Sequence, residues 1–298
     1  MLTFARHATS IALGLIAVVP SLASMQNPDP TLVGIMRADG VVVPVAKFDR
    51  GRWAEFPGPT DQYRVPTRQE LPKKWAVHHA NGNARRIVDG GDAVSFVDYG
   101  IEYDPWGQIT TLPSRDVGSD NYPPTHIGVA VSGQALNARV TTFIEGNQRS
   151  TTWQLNRREI EQAFRRSADT LARGLPALRL RSVYTARQTV DGAHLFYVDA
   201  IASPTREESQ SCPRAVYYQA WFRRQAGAQG ITVVHDTLDD GHDCDSPGAQ
   251  PTTNVPVGVV NVAGRWFVAM EYVYYEGSNR QVLELTPTSL TPAHPMRN

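Results

Sequence analysis

The sequence predicts a β-rich α+β fold: antiparallel sheets joined as meanders and hairpins, with one long amphipathic helix near residues 156–173. Three observations predict it. Short runs rich in Val, Ile, Tyr, Phe and Trp recur along the chain, as strands require. Two-residue turn signals such as Asp39-Gly40, Asp191-Gly192 and Ala263-Gly264 separate several of those runs and suit tight antiparallel connections. One segment alone repeats its apolar residues with helical spacing.

Leu32–Met36, Val41–Phe48 and Arg52–Phe56, punctuated by Asp39-Gly40 and Asp49-Arg50-Gly51, read as a three-stranded meander. Residues 57–75 are rich in proline and read as surface chain pinned by Trp53 and Trp75. Ala93–Tyr99 alternates as a strand, and residues 103–125 read as a long loop of the kind that contributes to sites. Ile127–Val131 and Ala138–Ile144 follow as strands joined across Ser132-Gly133. In the helix, Ile160, Ala163, Phe164, Ser167, Ala168 and Leu171 form one stripe. Asn156 with Glu159 resembles a capping box, and Gly174 a stop. Its other face holds Arg157, Arg158, Arg165, Arg166 and Arg173, a solvated basic face. Beyond it, Leu178–Val190, Ala193–Ala202, Ala215–Arg224, Ile231–Asp236, Val257–Val262, Trp266–Tyr275 and Gln281–Leu285 read as strands. Val43-Pro44-Val45 with Gly51-Arg52-Trp53 is echoed by Val255-Pro256-Val257 with Gly264-Arg265-Trp266, without amounting to a repeat.

With 298 residues, 41% hydrophobic and 19% charged, the chain can bury a sizeable core. Its 29 Lys and Arg balance 29 Asp and Glu, so no basic surplus marks it for nucleic acid. Arg6 and His7, the apolar run Ile11–Val19, and Ser21-Leu22-Ala23 have the order of a secretory signal peptide covering residues 1–23. The run is too short to span a bilayer, and no other stretch reaches membrane length, so no membrane span is expected after cleavage. The expected organisation is therefore a signal peptide, a single β-rich domain over 24–286, and a disordered proline-bearing tail over 287–298. Export places the protein in the periplasm or the medium. There, Cys212 and Cys244, with 31 residues between them, are expected to pair as a disulfide worth about 3–4 kcal/mol in the chain-entropy model.

The most chemically loaded segment runs from His235 to Asp245. It contains His235, Asp236, Asp239, Asp240, His242, Asp243 and Asp245, five carboxylates and two imidazoles in eleven residues. Such a group can supply oxygens to calcium or imidazoles to a transition metal. Its plainer reading is a solvated acidic loop, held by the disulfide and turned at Asp-Asp-Gly. His78-His79 would point to opposite faces of a strand, and Asp116, Asp120 and His126 lie in or beside the long loop. The C-terminal strands carry Tyr217, Tyr218, Trp221, Phe222, Trp266, Tyr272, Tyr274 and Tyr275. Of these, Tyr218, Trp221, Tyr272 and Tyr274 are candidates for an aromatic row touching a glycan or peptide, against core packing for most of the set. None of the motifs G-x-S-x-G, H-E-x-x-H, Walker A or G-x-G-x-x-G occurs.

Asp39-Gly40-Val41-Val42-Val43-Pro44, then Phe48-Asp49, Gly51-Arg52-Trp53 and Leu71-Pro72-Lys73-Lys74-Trp75 resemble the start of exported bacterial proteins of unknown function. The resemblance implies export and a bacterial source, and no activity. The expected function is an exported envelope protein that binds or scaffolds; the alternative is an extracellular hydrolase, metal-dependent or built on an Asp/His pair.

Overall fold

The structure is a computed structural model describing residues 29–37, 42–56, 71–80, 85–89, 96–98, 101–103, 126–204, 213–242, 253–274 and 277–294. It is β-rich, with one α-helix among the described residues, as expected. The meander is present as β1 (Thr31–Arg37), β2 (Val42–Asp49) and β3 (Arg52–Glu55). It joins β4 (Lys74–His79), β5 (Arg85–Asp89) and β8 (His126–Ser132) in a six-stranded sheet of order β3-β2-β1-β8-β4-β5. A small hairpin, β6 (Phe96–Asp98) with β7 (Ile101–Tyr103), stands between them in sequence. The strand β4, which contains His78-His79, also takes in the end of the stretch read as surface chain: Trp75 is fully buried, as are Ala76 and Val77 after it.

A second, nine-stranded sheet holds the rest. Its strands are β9 (Val140–Gly146), β10 (Arg179–Ala186), β11 (Ala193–Ala202), β12 (Arg214–Gln225) and β13 (Thr232–His242). With them are β14 (Thr253–Val262), β15 (Arg265–Tyr274), β16 (Gly277–Leu285) and β17 (Leu290–Pro292). The order is β13-β12-β11-β10-β9-β14-β15-β16-β17, antiparallel throughout. Because β8 and β9 lie in different sheets, Ser132-Gly133 is no hairpin; a short 3-10 turn over Gly133–Asn137 carries the chain across. The tail corrects a second expectation, since Leu290 and His294 are buried and β17 pairs with β16.

The helix α1 spans Thr151–Ala168, five residues ahead of the expected start. Ser150, not Asn156, caps it by accepting the Trp153 N–H. Asn156 is buried and its amide donates to the Thr152 carbonyl. The apolar stripe of Ile160, Ala163, Phe164 and Ala168 packs on Phe196, Val198, Ala200, Val216, Tyr218 and Phe222 of the sheet. The basic face is partly structural: Arg165 donates to the carbonyls of Ala172, Leu175 and Pro176, closing the helix C-terminus.

Alternation within β10–β13 sends the remaining side chains to the opposite face. There Tyr184, Leu195, Tyr197 and Trp221 meet Val255, Val259, Val268, Met270 and Leu283 of β14–β16. The long sheet therefore curls so that its inner face closes on itself. Outside the curl, α1 covers one half, and the six-stranded sheet covers the other through Val33, Ile35, Val129, Val131, Val257, Val260 and Phe267. The echoed segments form matching hairpins. β2–β3 turns at Arg50-Gly51 (φ 49° and 82°) and β14–β15 at Ala263-Gly264 (φ 51° and 81°), the left-handed pair that tight hairpins favour. β2 slips against β1 at Val45, and β14 slips against β15 at Val257, in each case the second valine of Val-Pro-Val. No described helix is long and apolar enough to cross a membrane.

Candidate functional site

The inner face of the curl is apolar along most of its length and polar at one end. Strand register builds that end. Asp199 on β11 stands opposite Gln219 on β12, Gln219 opposite Thr237 on β13, and Tyr217 opposite Asp239. Across the curl, Asn254 on β14 stands opposite Tyr272 on β15. Tyr217, Gln219, Thr237, Leu238, Asp239, Asn254 and Tyr272 enclose a pocket of about 280 Å³, just below the roughly 300–1,000 Å³ of small-ligand sites.

Its walls are tied together by side chains. Asn254 Nδ2 donates to Gln219 Oε1 at 2.6 Å, joining the two halves of the curl. The Tyr272 hydroxyl donates to Gln281 Oε1 at 3.1 Å, and the Tyr217 hydroxyl to the His242 carbonyl at 3.1 Å. The Arg181 guanidinium lies 5.4 Å from the centre of the Tyr217 ring and reaches Thr253 Oγ1 at 3.4 Å. Behind these walls sits a buried polar group that is incompletely bonded. Asp199 is 1% exposed, with Oδ1 3.6 Å from Arg181 Nη1, beyond hydrogen-bond length. Among the described residues, Asp199 Oδ1, Arg181 Nη1 and the fully buried Tyr197 hydroxyl have no hydrogen-bond partner.

Electrostatics follow from that burial. Desolvation lifts the Asp199 carboxyl to about 6, opposed by the Arg181 charge. It also pushes the Tyr197 phenol well up, helped by the Asp199 charge and by Tyr272 and Tyr184 nearby. The Tyr272 phenol is pushed up to about 12 by burial. The site therefore holds neutral hydroxyls, amides, one guanidinium and carboxyls, a set suited to orienting a polar ligand against aromatic walls.

A larger cavity, about 710 Å³, lies between the first half of α1 and residues 174–180, with Trp153, Leu175 and Leu178 in its lining. None of its lining side chains is a buried polar group left without a partner. The lining of the smaller pocket holds none either, but the unpartnered atoms of Arg181, Tyr197 and Asp199 lie behind its walls.

The sequence-derived candidates divide accordingly. Residues 232–242 form a strand, with one bulge at Val234, rather than an acidic loop. Its alternation places His235 and Asp239 on the pocket face, and Asp236 and Asp240 on the face toward α1. Asp236 accepts from Ser167 and from the Tyr218 hydroxyl, and Asp240 pairs bidentately with Arg214 at 3.0 and 3.1 Å. Among the described residues no three of His, Cys, Asp and Glu converge on a metal position. His242 closes the strand and gives its carbonyl to Tyr217. Asp243, Asp245, Cys212 and Cys244 lie outside the described residues, as do residues 1–28, Asp116 and Asp120.

The aromatic row is corrected as well. Tyr218 is fully buried against Phe164 of the helix, and Trp221 is 3% exposed between Phe143 and Tyr197; neither faces solvent. Tyr272 does line the pocket, and the side chain of Tyr274 lies outside the described residues. Arg181, Tyr197, Asp199, Gln219 and Asn254 were missed. One signal was available: Asp199 is the lone carboxylate in Leu195-Phe196-Tyr197-Val198-Asp199-Ala200-Ile201, and a charge inside a buried strand demands an explanation.

No family model, no curated protein and no solved structure matches the chain.

Proposed function

We propose that the chain is an exported protein of the bacterial cell envelope that acts by binding a glycan or peptide, and that the polar end of the curled sheet is its binding site. The buried, incompletely bonded group of Arg181, Tyr197 and Asp199 behind a pocket walled by Tyr217 and Tyr272 carries this reading. Burying polar atoms without partners costs roughly 1–3 kcal/mol each, and these atoms lie behind the pocket's walls, which makes this end of the sheet its polar end. The signal-like residues 1–23 support export. The hydrolase alternative draws on residues 235–245 and 103–126, of which 104–125 and 243–245 lie outside the described residues; within β13, alternation sets Asp236 and Asp240 on the face away from His235 and Asp239.

Export also suits the cysteines. Pairing of Cys212 with Cys244 is what an oxidising compartment favours, and titration of thiols in the unfolded, unreduced protein is expected to find none.

The binding reading is tested by the thermal unfolding midpoint in the presence of cellobiose, chitobiose, maltose and short lysine-containing peptides. A ligand of the native state raises it saturably by mass action. The rise should disappear in Tyr272→Ala; a rise that survives this change, or no rise with any probe, overturns the reading.

A further inference from the structure

The pocket opens beside an unpaired strand. β13 ends the nine-stranded sheet, and among the described residues it pairs only with β12. One edge of its backbone thus offers N–H and C=O groups along eleven residues, the template that an added strand uses. Three pocket-lining residues, Thr237, Leu238 and Asp239, belong to this same strand. Any chain laid along β13 therefore runs past the pocket mouth, with every second side chain on the pocket face.

Charge decides what kind of chain fits. Asp236 and Asp240 are occupied by Ser167, Tyr218 and Arg214, whereas no described residue makes a hydrogen bond or ion pair with the exposed Asp239 carboxylate. Around the pocket, Asp239 and Asp199 face one guanidinium, that of Arg181, which leaves one negative charge in excess. A second copy of β13 would bring carboxylates against carboxylates, so self-pairing is disfavoured. A strand carrying lysine or arginine meets the opposite situation. Its cation would lie against Asp239, and the rings of Tyr217 and Tyr272 supply the faces that cations favour. Buried acceptors left without a donor, Asp199 Oδ1 foremost, stand behind them.

We propose that β13 is a docking edge for an extended basic peptide, which adds to the sheet as a tenth strand and places one cationic side chain in the pocket between Tyr217, Asp239 and Tyr272. This rests on the pocket being the binding site and narrows its ligand from glycan or peptide to a basic peptide.

The test is a fluorescence-anisotropy titration, at physiological ionic strength, of a labelled short peptide alternating lysine and threonine. Three companions accompany it: the same peptide with alternate backbone amides N-methylated, one with glutamate for lysine, and chitobiose as an unlabelled competitor. Saturable binding by the parent peptide is expected, with no binding by the glutamate peptide. The N-methylated peptide, which cannot donate to the edge, should bind at least about tenfold more weakly, the equivalent of one lost pair of hydrogen bonds. Asp239→Asn should weaken the parent about five- to tenfold. Equal binding of the N-methylated peptide overturns strand addition, and equal binding to Asp239→Asn overturns the pocket contact. If the peptide fails while chitobiose raises the unfolding midpoint in a Tyr272-dependent way, this inference falls and the binding site stands. If neither probe binds, both fall.

Discussion

The Arg181 guanidinium lies 3.6 Å from the Asp199 carboxylate, near enough to attract it and too far to bond it. A buried pair with loose geometry recovers only part of the cost of leaving water. That shortfall is why burial outweighs the neighbouring cation and lifts the Asp199 carboxyl to about 6. The relationship reads as a prepared site rather than a structural clamp: the same strand supplies Tyr197, whose hydroxyl is buried beside Asn254.

Asp199 should make stability fall as pH rises from about 4 to about 6. Its carboxyl titrates near 6 in the folded protein against 3.8 without the fold. In that window the native state holds a proton that the unfolded chain has released, so raising the pH removes native-state stability. The shift corresponds to about 3 kcal/mol across the window. Asp199→Asn should lose this slope. Urea unfolding at about pH 4 and about pH 7 should therefore show the difference between variant and wild type moving in the variant's favour by about that amount. A difference independent of pH would mean that Asp199 titrates as an ordinary carboxyl.

The fold was legible where local pattern and tertiary role agree. Asp191-Gly192 and Ala263-Gly264 sit at tight turns because left-handed backbone there matches the strand twist, and the helix stripe is what the sheet covers. It was not legible where burial came from afar. Lys74–His79 has proline and lysine before it, yet Trp75 and Val77 are buried because β8 and β5 flank the strand. The site was half legible for a related reason. The sequence marks Asp239 and Tyr272 by type, but their meeting depends on the curl that brings β14 and β15 over β12, a relation between strands about 35 residues or more apart. The charge-dense stretch after His235 suggested a loop because carboxylates are scarce in strands; an edge strand tolerates them, and charge at an edge discourages aggregation.

Ser150→Ala should cost about 1 kcal/mol, the usual loss of an N-cap, because its hydroxyl accepts the Trp153 N–H. Ser150→Asp should keep most of that stability, since a carboxylate can accept the same bond and suits the positive end of the helix. Chemical denaturation of the two variants separates the readings: equal losses would mean that the serine matters through packing against Gly146 and not as a cap.

At Gly258 the two large sheets pack closely together. A methyl group on it would lie 2.6 Å from Val129 Cγ1 and 3.0 Å from Val129 Cβ, with Val129 fully buried on β8. Gly258→Ala should destabilise by about 1–3 kcal/mol through overpacking, and Val129→Ala should relieve part of that in the double variant. Additive losses from the two changes would show that the sheets do not interlock at this position.

The two matched hairpins lean on each other, and the contact can be weighed. Trp53, in the Gly-Arg-Trp of the first, meets Phe267, just after the Gly-Arg-Trp of the second, edge to face at 5.2 Å, with Phe48 5.1 Å from Trp53. Arg265 crosses the same junction to donate to the Gly51 carbonyl at 2.8 Å while held by Glu284. An aromatic pair of this geometry is worth about 0.5–1.5 kcal/mol beyond its buried area. A double-mutant cycle of Trp53→Leu and Phe267→Leu should therefore return a coupling of that size, whereas pairing Trp53→Leu with Phe196→Leu, on the helix side of the long sheet, should return none. If both cycles gave zero, the hairpins would be two separate solutions to the same turn, and their shared sequence would say nothing about how the sheets are joined.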